Sequence, residues 1–230
     1  MTKFLSIILA LFCTVLPGSL ACLAAEEAPP DPAPAAAAKP VDDAEIGRLV
    51  EGLKGWDRDQ VQANSDALAK IGEPAVPALI GALKNEDPGV RSSAARVLGE
   101  IEAKEAAVPL GELFDDPKYW VTRNAVYSLG NIGGPESVEL LKKALTHYRP
   151  QVQEAALWGL DELQEQSAIP EISDLMVSAP DQYVRWRAMT VLRSLKEGEE
   201  ITFLIKTLND PEADATKRRN AAVMLGSLEV

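Results

Sequence analysis

Val90-Arg91-Ser92-Ser93-Ala94-Ala95-Arg96-Val97-Leu98-Gly99 decides the fold, because the phrase returns. Valine, alanine four residues on and leucine eight on recur as Val121, Ala125 and Leu129, as Val152, Ala156 and Leu160, and as Val184, Ala188 and Leu192. The leucines stand 31, 31 and 32 residues apart. A fixed period of this size marks stacked repeats. Offsets of 0, 4, 8 and 11 from the valine fall within about 80° of one another on a helix, so they form a single buried face. The small alanine lets helices approach. No unit can bury that face alone, so the units must stack.

Each unit reads as two helices, A and B. In the clearest, Pro74 to Glu102, the A helix carries Val76, Leu79, Ile80 and Leu83 on one face. Asn85-Glu86-Asp87-Pro88 then turns the chain. Asp87 can cap the next helix, and Pro88 fits its first position, where no amide donor is needed. The B helix then buries Val90, Ala94, Val97, Leu98 and Ile101. Asp116-Pro117, Arg149-Pro150 and Asp210-Pro211 are expected to do the same work in their units, with Pro180-Asp181 a close variant. Gly72, Gly133-Gly134 and Gly198 follow B helices, where a left-handed residue ends a helix. Six units result, at about 43–72, 74–102, 104–133, 135–163, 166–195 and 198–228. The outer two depart from the phrase, with Asn64 in place of alanine and Lys217 in place of valine, as terminal units do.

Val-Arg-x-x-Ala-Ala-x-x-Leu-Gly preceded by Asp-Pro resembles a HEAT repeat. The short period is similar to that of the HEAT-like repeats of the phycobilisome lyases, and the resemblance covers residues 43–228. It implies an all-α, right-handed α-solenoid with B helices lining the concave side. It also implies a scaffold or adaptor role, although a few members are lyases or carry metal-binding histidine pairs.

The flanks read differently. Lys3, the apolar run Phe4 to Leu16 and the break at Pro17-Gly18 have the pattern of a secretory signal peptide over residues 1–24. Cleavage fits after Ala21 or after Ala24. Leu20-Ala21-Cys22 also resembles the end of a bacterial lipoprotein signal, which makes Cys22 a candidate for lipidation, although Ser19 stands where a leucine-like residue is expected. Residues 25–41 are an Ala/Pro-rich stretch that cannot form a core and reads as a disordered linker. The solenoid spans 42–230. An exported chain is expected, periplasmic or extracellular, tethered to a membrane only through a lipid or an uncleaved signal.

Composition narrows the chemistry. The formal net charge is -12, which argues against general nucleic-acid binding. Beyond Ala25 there is no cysteine, so disulfides, thiolate zinc sites and a cysteine nucleophile are excluded there. The single histidine, His147, cannot build a histidine-pair metal site, and it reads as a solvated loop residue. No Gly-x-Ser-x-Gly elbow or phosphate-binding glycine loop occurs. Asp210-Pro211-Glu212-Ala213-Asp214 lacks the glycine and distal glutamate of a calcium loop. No cofactor, metal or catalytic residue is expected, and the chain reads as a non-enzyme.

The remaining signal is aromatic. Offsets -1, 2 and 6 lie roughly opposite the buried face, where Lys, Glu or Ser would be routine. Here Trp120 and Tyr183 occupy -1, Trp186 occupies 2, and Tyr127 and Trp158 occupy 6. Arg123 stands at 2, Arg187 at 3 and Arg96 at 6. Two readings stand side by side. The rings either fill crevices between B helices or form a binding patch of the residue types that dominate interfaces. Arg91 and Arg185 at offset 1 are expected to bond turn carboxylates of a neighbouring unit, and Trp56 to cap the exposed end. The expected function is an exported scaffold that binds a protein or peptide. The alternatives are a lyase-like or small-ligand-handling protein and a structural subunit of an envelope assembly.

Overall fold

The structure, a computed structural model, describes residues 42–55 and 57–228. The expected signal segment, the linker, Cys22 and Trp56 lie outside the described residues. Twelve α-helices and no strand occur among the described residues, arranged as six two-helix units. The A helices are α1 (Asp43–Glu51), α3 (Val76–Ala82), α5 (Ala107–Gly111), α7 (Gly134–Leu145), α9 (Ile169–Ser178) and α11 (Glu199–Asn209). The B helices are α2 (Arg58–Ile71), α4 (Pro88–Glu100), α6 (Tyr119–Ile132), α8 (Pro150–Glu162), α10 (Gln182–Leu195) and α12 (Ala215–Ser227).

The recurring phrase forms the core. Val90, Ala94 and Leu98 are buried, as are their equivalents in α6, α8 and α10. Each B helix packs on the A helix of its own unit, and α4, α6, α8 and α10 run side by side. Offset 9 of one B helix meets offset 7 of the next. A methyl group on Gly99 would lie 2.7 Å from Ser128 Cβ, and one on Gly130 would lie 2.8 Å from Gly159 Cα. These are backbone-to-backbone approaches that only the smallest residues permit. Two hydrogen bonds lock the first of them: Ser128 Oγ donates to Ala95 O at 2.7 Å and Asn124 Nδ2 to Ser92 Oγ at 2.8 Å.

Turn chemistry follows expectation in part. Asp87 caps α4 through Gly89 N–H, and Asp181 caps α10 through the amides of Tyr183 and Val184. Gly72, Gly133, Gly134 and Gly198 all have positive φ, and Glu102 and Gln164 take that conformation without glycine. Two Asp-Pro steps behave otherwise. Asp116-Pro117 does not start α6, which begins at Tyr119. Two residues more than in the preceding unit separate this proline from its valine, and Asp116 is buried instead as an acceptor. It takes Arg91 Nε at 2.7 Å and Arg91 Nη2 at 3.1 Å, together with Lys118 N–H at 2.8 Å. Asp210-Pro211 likewise ends α11, and Asp214 caps α12 through Lys217 N–H. The stretched loop moves the capping position downstream.

Arg91 thus reaches a turn carboxylate of the next unit, as its offset predicts. Arg185 differs: its Nη1 donates to Ala179 O at 2.7 Å and Pro180 O at 2.9 Å, and it meets no carboxylate among the described residues. The reason is the last unit. Asn220 Nδ2 donates to Val177 O at 2.8 Å and Lys217 pairs with Asp174, so α12 takes its support from α11 and α9 rather than running along α10.

His147 is a bridge between turns, not the solvated residue expected from sequence. Arg149 N–H donates to its Nδ1 at 3.1 Å, so the neutral ring carries its proton on Nε2, which lies 3.1 Å from Phe114 O in the preceding unit. Burial, with Arg149 adding to it, lowers its pKa below the usual 6.5, against the opposing pull of Phe114 O and Asp115. A proton on Nδ1 would break the bond to Arg149 N–H.

Two predictions follow from this packing. Gly130→Ala should destabilise the fold by about 1–3 kcal/mol, because backbone must move to admit the methyl group. A methyl on Gly226, the offset-9 residue of α12, would meet nothing within 4 Å. Gly226→Ala should therefore leave stability unchanged or raise it by about 0.5 kcal/mol, read from urea midpoints. The second concerns pH. The unfolded chain protonates His147 near pH 6.5 while the folded chain resists, so stability is full above that pH and falls as pH drops below it. Glu165, whose carboxylate is held below its usual range by Ser167, keeps its contribution throughout this window and loses it only as pH falls below the carboxylate range. His147→Asn should flatten the decline between pH 7 and 5.5, and the single imidazole should titrate below 6.5 by NMR.

Candidate partner-binding surface

The B helices place the eight sequence-predicted residues in four settings. Arg96 pairs with Glu100 on its own helix and reaches Gln62 Oε1 at 3.4 Å, apart from the others. Trp120 sits at the start of α6, 39% exposed, edge-on to Tyr119 at 5.6 Å, with the Lys118 ammonium 5.7 Å from its ring. It belongs to the turn edge.

The third setting gathers five residues. Tyr127 and Trp158 meet edge to face across α6 and α8, with centroids 5.0 Å apart at 69°. Both are half-buried, so for this pair the crevice-filling reading holds. Burial raises the Tyr127 hydroxyl pKa and Glu154 adds to the rise, while Arg123 and Arg187 oppose it. Tyr183, on α10, is 55% exposed and donates its hydroxyl to Glu154 Oε1 at 3.3 Å. Arg187 Nη2 pairs with Asp161 Oδ2 at 3.5 Å. Two polar atoms in this group are buried without a partner: Arg123 Nε and Asp161 Oδ1. Buried groups of this kind are few in a folded protein and call for an explanation.

Trp186 makes the fourth setting. It is 54% exposed and stands on the α10 side that faces α12. Its offset-2 equivalents Arg123 and Glu154 are half-buried because a further B helix runs beside them. Trp186 lacks that cover.

Sequence reasoning missed Glu154, which accepts from Tyr183, and Asp161, which pairs with Arg187. Both occupy offsets, 2 and 9, at which a neighbouring B helix is met. It also missed Tyr148. That ring is 75% exposed at the turn before α8, stacked on His147 at 4.5 Å and covered by the Arg149 guanidinium at 5.0 Å. Its signal was its position in the turn, two residues before Pro150.

The arrangement offers aromatic faces and guanidinium donors, which suits recognition of a surface. Among the described residues no group of three or more His, Cys, Asp or Glu is placed to hold a metal ion. No helix of the described residues is long and apolar enough to cross a membrane. The split between half-buried and exposed rings predicts different costs. Trp158→Ala should lower stability by about 2 kcal/mol, by opening a void against Tyr127. Trp186→Ala should change it by less than about 0.5 kcal/mol in the same denaturation assay.

The family model for HEAT repeats matches residues 48–130, 94–149, 112–193 and 138–226, overlapping windows that span most of the chain. No curated protein matches the sequence. Among solved structures, the complex of CpcE and CpcF of phycocyanin lyase from Nostoc sp. PCC7120 is similar at a TM-score of 0.59 and 24% identity, covering 65% of this chain and 99% of that one. A designed armadillo repeat protein in complex with the peptide (KR)4 matches at a TM-score of 0.42 and 19% identity, over 80% of this chain and 99% of that one. Human deoxyhypusine hydroxylase in complex with glycerol matches at 0.33 and 15%, over 81% of this chain and 96% of that one. At these identities the likeness is one of fold. The chain belongs to the HEAT-repeat family, as a solenoid of six two-helix units.

Proposed function

We propose that the chain is an exported, non-catalytic scaffold that binds a protein or peptide across the B-helix face of units three to five. One observation carries the reading. Tyr183 and Trp186, three residues apart on α10, are each more than half exposed, and Tyr183 stands on Glu154 in the group that holds the half-buried Tyr127–Trp158 pair. Exposed tyrosine and tryptophan on one helix are side chains from which interfaces draw much of their energy. Export rests on the apolar run Phe4 to Leu16 and the break at Pro17-Gly18 that follows it.

The test is site-specific photocrosslinking in intact cells of the source. A photoreactive residue at Tyr183 should trap one partner protein, and the same residue at Lys143, exposed on A helix α7, should trap none. Trp186→Ala should remove the adduct while leaving helicity unchanged. Equal yields from both positions would overturn the placement of the surface. Fractionation and N-terminal sequencing of the same sample test export, with a mature chain starting after Ala21 or Ala24 as the expected result.

A further inference from the structure

The stack changes register at its last unit. In α6 and α10 the offset-3 residue bonds the preceding B helix, as Asn124 bonds Ser92 and Arg187 pairs with Asp161. Asn220 holds the same offset in α12 and bonds Val177 at the end of α9 instead. As a result α10 and α12 diverge and bound a cleft of about 280 Å³. The bulk at the meeting positions grows towards the end of the stack: glycine faces serine or glycine in α4–α6 and α6–α8, Asp161 and Val191 hold those offsets in α8–α10, and Arg193 and Met224 hold them in α10–α12.

Buried Met189 and Met224 line the cleft together with Trp186, 54% exposed, and Val223, 61% exposed. An apolar surface of this kind, left uncovered beside polar residues, marks a binding site more often than an accident of folding. The surroundings are basic in a chain of net charge -12. On α12, Arg219, one turn before Val223, is exposed and forms no salt bridge among the described residues. Arg185 and Arg193 line the cleft itself. Arg193 gives Nε to buried Glu200 at 2.8 Å, and its side chain remains 49% exposed.

We propose that the α10–α12 cleft docks an acidic segment of a protein partner. One apolar side chain of that segment enters between Trp186 and Val223, and its carboxylates meet the guanidiniums around the rim. The proposal rests on the reading of the B-helix face as the partner surface, and it names the partner's chemistry. Three points select this occupant. At about 280 Å³ the cleft lies at the lower end of the roughly 300–1,000 Å³ range of small-molecule pockets, with room for a single anchoring side chain. A second copy docking through the same face would set the α12 arginines against each other, which is unfavourable. A nucleic acid would match the arginines but has no aliphatic anchor for the methionines.

The test is selection of a random twelve-residue peptide library, displayed on phage, against the full chain. Enriched peptides should combine Asp or Glu with Leu, Phe or Trp. Their synthetic forms should bind at least about tenfold more weakly to Val223→Glu and to Arg219→Glu, one turn away on α12. Both residues are exposed, so the variants should keep wild-type circular dichroism. Basic or anchor-free winners, no enrichment at all, or equal binding to both variants would overturn the proposal. So would a concentration-dependent dimer, seen in sedimentation, that Val223→Glu dissolves. Binding lost in Tyr183→Ala but kept in Val223→Glu and Arg219→Glu would overturn the cleft and leave the wider B-helix surface standing.

Discussion

The contact of Gly130 with Gly159 is the constraint on which the stack depends. Two helices can lie this close only where one carries no side chain at the crossing and the other a small one at most, and the glycine that ends the phrase in α4 and α6 meets that condition. Once the backbones touch, the flanking valine, alanine and leucine have no route to water and become core. Apolar burial then does the work at its usual rate of about 25 cal/mol per Å². No disulfide assists within residues 42–228, because that span contains no cysteine.

Around that contact the turns form a second, polar line of attachment. Arg91, Asp116, Arg149 and His147 link the turns of units two, three and four through paired charges and backbone carbonyls. The Arg91–Asp116 pair is bidentate and almost wholly shielded, so it places two turns in one geometry. This line ends where the glycine line ends. Arg185 finds carbonyls of its own turn, and Arg193 turns to Glu200.

Much of this could be read in the residues. The valine, alanine and leucine offsets need only helix geometry, and Asp87 with Pro88 needs only local chemistry. What sequence missed depended on neighbours. Tyr127 and Trp158 point away from the face packed on their own A helix, yet an adjacent B helix half-buries them. Offsets counted along one helix carry no information about a helix lying beside it. Asp116 and Asp210 looked like caps because the motif matched, but insertions before Tyr119 and Ala215 moved the true helix starts. His147 looked solvated because its two partners, Phe114 O and Arg149 N–H, are backbone atoms without a sequence signature. The exposure of Tyr183 and Trp186 agrees with their offsets, since fewer groups cover α10 on that side.

The widening of the spaces between B helices towards α12 has a consequence for cooperativity. In a linear array each unit is held by its own folding free energy and by the couplings to its neighbours. An inner unit must break two couplings to open, whereas the last breaks only one. Here that one coupling has lost its backbone contact and its arginine strut. Unit six therefore opens with less free energy than the inner units, and its amides should exchange with solvent ahead of those in α6 and α8.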